Sequence, residues 1–240
     1  MNILLEVCVD DVHGLAAALA GGADRIELCA ALAVGGLTPS PGLMRAAAGS
    51  AVPVHAMVRP RAGHFCYDAQ EGAAMLADID AIHAAGFAGV VLGASTGDGR
   101  LDHRRLAPLL AHARRLGLAC TLHRAIDLCP DLVAATRTAV ELGFGRILTS
   151  GGALTAAQGI DQLARCFDAA AGALVIMPGA GVNVETIAAL KAGLPLAEVH
   201  ASCSVPLTPG DPRAIAFGFD TSTRRQTSAA QVAALKAALR

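Results

Sequence analysis

Two carboxylates, a guanidinium and two imidazoles stand inside or at the ends of short apolar runs in this chain. Glu6 lies in Ile3-Leu-Leu-Glu-Val-Cys8, Glu27 in Arg25-Ile-Glu-Leu-Cys29, Arg59 just after Val54-His-Ala-Met-Val58, His123 at the end of Leu118-Ala-Cys-Thr-Leu-His123, and His200 at the end of Leu196-Ala-Glu-Val-His200. Glu6, Glu27 and His123 are the residue types that proton transfer needs, which makes them candidate catalytic groups. Arg59 and Arg124 could hold a carboxylate, and His200 joins them as a candidate ligand-binding group. Two glycine-rich turns, Thr149-Ser150-Gly151-Gly152 and Met177-Pro-Gly179-Ala-Gly181-Val-Asn183, let backbone amides approach an anion. Ser150, Gly151, Gly179 and Gly181 are therefore candidates for seating a phosphate or carboxylate. Each piece has a plainer reading. Inward charges can pair into a salt-bridge layer, and glycine turns can be tight connections that bind nothing.

The elements that must position these residues follow from glycine punctuation. Gly22, Gly49, Gly86, Gly117, Gly143, Gly172 and Gly193 each close an alanine- and leucine-rich helical stretch just ahead of an apolar run. With the run that opens the chain they predict eight strands alternating with helices, hence a parallel sheet, and in 240 residues a (β/α)8 TIM barrel. Residues 1–240 read as one domain. Helices are expected over Asp68–Ala85, Asp102–Leu116, Asp131–Leu142, Thr155–Ala171 and Asn183–Ala192, with Thr38-Pro39 opening a shorter one. Periodicity fails among Pro206, Pro209, Gly210 and Pro212, which predicts an irregular loop over about 202–226 before a closing helix over about 228–239.

Charge fixes the register. An ionised Glu6 facing the apolar helix layer would be heavily desolvated, so Leu4, Glu6 and Cys8 point into the barrel. The same logic turns inward Arg25, Glu27 and Cys29, then His55, Met57 and Arg59, then Thr121 and His123, Ile147 and Thr149, and Glu198 and His200. Glu6, Glu27, Arg59, His123 and His200, from five strands, converge on one mouth, the end where barrels of this type build their sites.

The bulk composition excludes several partners. Net charge is −1 with acids and bases interspersed, so nothing draws the surface to nucleic acid or an anionic membrane. No apolar run approaches the roughly 18 residues of a membrane span. Residues 1–8 lack the basic lead and apolar region of a secretory leader. Seven cysteines, an odd number without zinc-type spacing, suit thiols in a reducing compartment and predict a cytoplasmic protein.

The strings Leu5-Glu-Val-Cys-Val-Asp10, Gly21-Gly-Ala-Asp-Arg-Ile-Glu-Leu-Cys29, Gly35-Gly-Leu-Thr-Pro-Ser40, Val58-Arg-Pro-Arg61, His123-Arg-Ala-Ile-Asp127, Ile147-Leu-Thr-Ser-Gly151, Gly179-Ala-Gly-Val182 and Glu198-Val-His200 closely resemble the CutC family of copper homeostasis proteins. The likeness runs in order from about residue 3 to 202. It departs at Ile126, Pro178 and Ala201, none of which is a candidate ligand. The resemblance implies a cytoplasmic barrel that self-associates as a homo-oligomer, with a role in copper tolerance or trafficking through Cu(I). Cys8 and Cys29 belong to matching family motifs and face inward on neighbouring strands, so they are the candidate metal ligands, with Met57 or a histidine nearby. Simple burial of both thiols stays open, and so does a rival function. An isomerase, epimerase or lyase acting on a small anionic or phosphorylated metabolite would use the carboxylates and arginines that a copper shuttle does not need.

Overall fold

Asp11, Asp68, Asp102 and Asp131 each lend a carboxylate to the backbone amide three residues on, and at each of them a helix begins. The computed structural model describes residues 3–208 and 211–240. Its helices are α1 (Val12–Gly21), α2 (Pro41–Ala47), α3 (Ala69–Ala84), α4 (His103–Arg115), α5 (Leu132–Leu142), α6 (Ile160–Ala170), α7 (Ile187–Gly193), α8 (Pro212–Ala216) and α9 (Ala229–Ala238). Gly22 and Gly143 close α1 and α5 with φ of 87° and 78°, a left-handed conformation that a Cβ would strain. Gly193 differs from the expected pattern, since it is the last residue of α7 and Leu194 follows it in extended conformation.

Between the helices run β1 (Leu4–Val9), β2 (Arg25–Leu28), β3 (Val54–Met57), β4 (Gly89–Leu92), β5 (Ala119–Leu122), β6 (Arg146–Thr149), β7 (Val175–Pro178) and β8 (Glu198–Ala201). All eight are parallel, in the order β7-β6-β5-β4-β3-β2-β1-β8. β7 and β8 lie side by side at the seam, where a Cβ on Gly179 would come within 3.4 Å of the His200 Cβ. The expected (β/α)8 barrel is thus present, nearly closed, with its apolar core between strands and helices.

Ladder register shows which side chains face inward. Glu6 pairs with Arg25 and His200, Glu27 with His55, and Thr121 with Arg146, so these positions share the barrel interior. On β6 the expectation fails. Arg146 and Leu148 point inward, while Ile147 joins the core under the helices and Thr149 bonds Asp127. The reason is the rule that oriented Glu6: Arg146 is itself a strand residue, and it needs the Glu198 carboxylate inside.

Other differences lie in the loops. Ser40, not Thr38, caps α2, with Pro41 as its first residue. Thr38 Oγ1 instead accepts the Arg59 amide at 3.0 Å and donates to Asp78 at 2.9 Å. α6 starts at Ile160 rather than Thr155, because Thr155–Gly159 folds as turns whose amides return to Thr155 and Ala156 carbonyls. α7 starts at Ile187 rather than Asn183, whose side chain takes the Glu185 and Thr186 amides in a separate turn. The stretch 202–226 is not irregular throughout. An antiparallel ribbon of β9 (Ser204–Pro206) and β10 (Arg225–Thr227) brackets the five-residue α8. Pro209 and Gly210 of that stretch lie outside the described residues, as do Met1 and Asn2 of the segment read as lacking a secretory leader. No helix among the described residues is long and apolar enough to cross a membrane.

Candidate functional site

The barrel interior is polar in two tiers. In the deeper one, Arg25 reaches three partners. Its Nε donates to Glu6 Oε2, and its Nη2 donates to Glu198 and lies 3.3 Å from the Met177 sulfur. Arg146 clasps the same Glu198 with Nε and Nη2 and touches Thr121 Oγ1. Burial alone would raise the Glu6 carboxyl, but the His200 hydrogen bond and the Arg25 charge outweigh it and hold it well below the usual carboxylate range. Glu198 is likewise lowered against burial by Arg146 and Arg25. Two carboxylates and two guanidiniums therefore neutralise one another as a closed ion-pair network, while His55 Nδ1 beside them has no hydrogen-bond partner among the described residues.

The upper tier opens into a cavity of about 670 Å³ at the carboxyl ends of the strands, with Cys8, Glu27, Arg59, His123, Arg124 and His200 in its wall. An ionised Glu6 only accepts, so His200 Nδ1 donates to Glu6 Oε1 at 2.8 Å and turns Nε2 toward Glu27, 3.7 Å away. Burial opposes the charge on His200, yet Cys8, Glu27 and Glu6 around it raise its pKa well above the usual value. Glu27 is raised, chiefly by burial with Glu6 adding, and its Oε1 has no hydrogen-bond partner.

Cys8, Glu27 and His200 each offer one ligand atom, and the three atoms lie within 4.8 Å of one another. Of the expected metal ligands, Cys8 belongs to this trio and Cys29 does not. Cys29 donates toward Glu27 Oε2 at 3.6 Å, but it packs with Met57 and Val91 beneath the connection from β2 to α2 (residues 30–40, the β2 flap) and does not line the cavity. Gly36, at φ +86°, presses the flap down so closely that a Cβ there would sit 3.0 Å from the Cys29 sulfur. Burial and the neighbouring Glu27 raise the Cys29 thiol well above its usual pKa. The donor set fits a metal. It combines a thiol, an imidazole and a carboxylate, and the far ring nitrogen of the imidazole is already fixed by a second carboxylate.

The remaining candidates divide. Arg59 lines the cavity with its fork spent on backbone carbonyls, Nη1 to Val34 and Gly36 and Nη2 to Gly63, which ties the β2 flap to the β3 loop. Phe65 packs against both Arg59 and His123, with its ring centroid 4.8 Å from the guanidinium carbon and 4.9 Å from the imidazole. Burial, aided by the Arg59 charge, pushes His123 down to about 3. Arg124 is paired to Asp127 at 2.8 Å and to the Ser150 hydroxyl at 2.8 Å.

The turn after β6 already holds an anion of the protein's own. The Asp127 carboxylate accepts from the Ser150 and Gly152 amides at 3.1 Å and from the Thr149 and Ser150 hydroxyls. Ser150 and Gly152 thus build a seat that is filled from within, while the Gly151 amide, expected to join it, donates to Thr149 Oγ1 at 2.9 Å. The turn after β7 keeps Gly181, at φ +71°, and Ala180 in the cavity wall, while the Gly179 amide donates to the Thr149 carbonyl. Reasoning from sequence missed Asp127 and Arg146. The signal for the first is an acid four residues past His123, in a loop that faces glycine amides. For the second it is a lone charge at the head of an otherwise apolar strand.

Fold and site define a (β/α)8 barrel with a mixed thiol, imidazole and carboxylate cluster under its carboxyl-end mouth. The CutC family model matches residues 3–205, and the chain belongs to the CutC family. It is 57% identical over 238 residues to the family protein CutC of Sinorhizobium medicae, covering 99% of this chain and 96% of that one. It is 51% identical over 241 residues to the Caulobacter vibrioides relative, covering 100% and 98%. A solved structure of CutC from Streptococcus agalactiae, named for copper homeostasis, is similar with a TM-score of 0.78 at 30% identity over 83% of this chain and 98% of that one. A 4-hydroxy-2-oxoglutarate aldolase shares the fold alone, with a TM-score of 0.59 at 20% identity over 98% of this chain and 94% of that one.

Proposed function

We propose that this protein serves copper homeostasis by binding a copper ion at the floor of the barrel mouth through Cys8, Glu27 and His200. The observation that carries the reading is the convergence of their three ligand atoms within 4.8 Å in a buried position. Thiolate and imidazole are donors that copper favours, and thiolate selects Cu(I) over harder ions. Glu6 supports the site from behind. It holds the His200 Nδ1 proton, so Nε2 is the nitrogen offered to the metal, and Arg25 in turn holds Glu6. Cys29 and Met57 lie under the adjoining flap as further soft side chains. Copper is cargo in this reading, and nothing in the chemistry of the ion is used beyond its coordination.

Competition against a Cu(I) chelator tests the assignment. Cys8→Ser is expected to weaken binding by about 100-fold, and Glu6→Gln, which touches no metal, by about 10-fold. Cys29→Ser is expected to change it less than about threefold. Equal affinity in wild type and Cys8→Ser would remove the site, and a large loss in Cys29→Ser would move it beneath the flap.

A further inference from the structure

Three polar atoms in the wall of the mouth cavity have no partner among the described residues: Arg59 Nε, His123 Nε2 and Glu27 Oε1. All three residues are at least nine-tenths buried. An unpaired buried polar group is costly, and native proteins keep one where something outside the chain completes it.

The nature of that missing partner can be read from the groups. Arg25 and Arg59 are the two buried arginines, each 4% exposed. Arg25 faces two carboxylates, whereas Arg59 forms no ion pair with any carboxylate of the described residues and bonds only neutral carbonyls. Its buried positive charge lacks a counter-ion.

His123 is a donor at the same place. Its Nδ1 accepts the Ala125 amide at 3.1 Å, so the single proton of the neutral ring sits on Nε2, which finds no acceptor. The ring is pressed onto Gly93, where a Cβ would lie 2.6 Å from Cε1. One cation and one neutral donor, both against Phe65, call for a single negative charge with a second oxygen beside it.

A phosphate suits the cavity less well. The amides of the β6 turn that would grip it already hold Asp127, and Arg124 is bound to the same carboxylate.

We infer that the mouth binds a small monocarboxylate carrying an oxygen on the adjoining carbon, a 2-oxo or 2-hydroxy acid. Its carboxylate is the counter-ion of Arg59, and its second oxygen accepts from His123 Nε2–H. The site shares its cavity with the copper trio but uses none of Cys8, Glu27 and His200, the Glu27 Oε1 atom facing the metal in the copper reading, so the two assignments stand or fall separately. Phe65, half-buried and packed on both groups, is the side chain the ligand moves aside.

Calorimetric titration of the full-length, metal-free chain with pyruvate, lactate and inorganic phosphate tests this. Saturable binding of pyruvate or lactate is expected, with phosphate at least about tenfold weaker. His123→Phe, which keeps the ring volume and removes the donor, is expected to weaken binding by about tenfold or more. Arg59→Gln should weaken it further and Arg59→Lys less, because lysine keeps the charge. Cys8→Ser should leave the acid's affinity unchanged even where copper binding is lost. Absence of saturable binding of both acids to the wild-type chain overturns the inference. So does unchanged affinity in His123→Phe, or phosphate binding as tight as pyruvate.

Discussion

The two tiers of the barrel interior are built from the same residue types and differ in how completely those residues satisfy one another. In the lower tier Glu6, Arg25, Glu198 and Arg146 exchange charge and hydrogen bonds among themselves. In the upper tier Glu27, Arg59 and His123 line the mouth cavity with atoms that no described residue completes, whereas the one such atom beside the lower tier, His55 Nδ1, lies away from that cavity. Inward-pointing charge alone therefore does not separate a structural plug from a site. Completeness of pairing does, because a closed network gains nothing from a ligand, whereas an unpaired buried atom does.

Removing one member of the closed tier should produce the largest loss. Arg25→Met leaves Glu6 and Glu198 buried with only Arg146 and His200 as cations, and stability is expected to fall by about 3–5 kcal/mol in urea unfolding. A loss below about 1 kcal/mol would mean that the tier is not a closed unit.

Acid should act next. His55 is pushed down to about 4 and His123 to about 3, both by burial. A lowered histidine contributes stability that is present above its unfolded value near 6.5 and is lost as pH falls toward its folded value. His200 is raised, so its own contribution is complete below 6.5 and is lost only at higher pH. Between pH 7 and 5 the net expectation is a decrease of roughly 2–3 kcal/mol, measured by urea unfolding at a series of pH values. His123→Phe should remove about half of that dependence, which divides it between the tiers.

The smallest effect is expected at Glu27. Its carboxyl is already raised by burial and its Oε1 is unpaired, so Glu27→Gln should change stability by less than about 1 kcal/mol. The same substitution at Glu6, which holds both Arg25 and His200, should cost about 2–3 kcal/mol. Equal losses at the two positions would erase the distinction between the tiers.

Much of this was legible in the chain. Glycines after helices and aspartates before them mark the alternation of the barrel, because both act within a few residues of backbone. The inward register of Glu6, Glu27 and His200 follows from the penalty of burying charge against helices. The misread parts are those where a local signal had a non-local competitor. Thr155 and Asn183 look like helix caps, yet the Thr155 carbonyl and the Asn183 side chain close separate turns first. Ile147 looks like a barrel-filling residue, yet Arg146 beside it had to meet Glu198 across the interior.

The sequence by itself determined the barrel, the family and the set of polar residues at the mouth, since periodicity, capping and motif strings are properties of neighbours along the chain. Only the tertiary structure decided which of those residues are used up. It set Cys8 beside Glu27 and His200, filled the β6 anion seat with Asp127, and left Arg59 without a counter-ion among the described residues. Hydrogen bonds and ion pairs are settled between groups distant in sequence and adjacent in space, and no spacing along one strand reports the partner waiting on another.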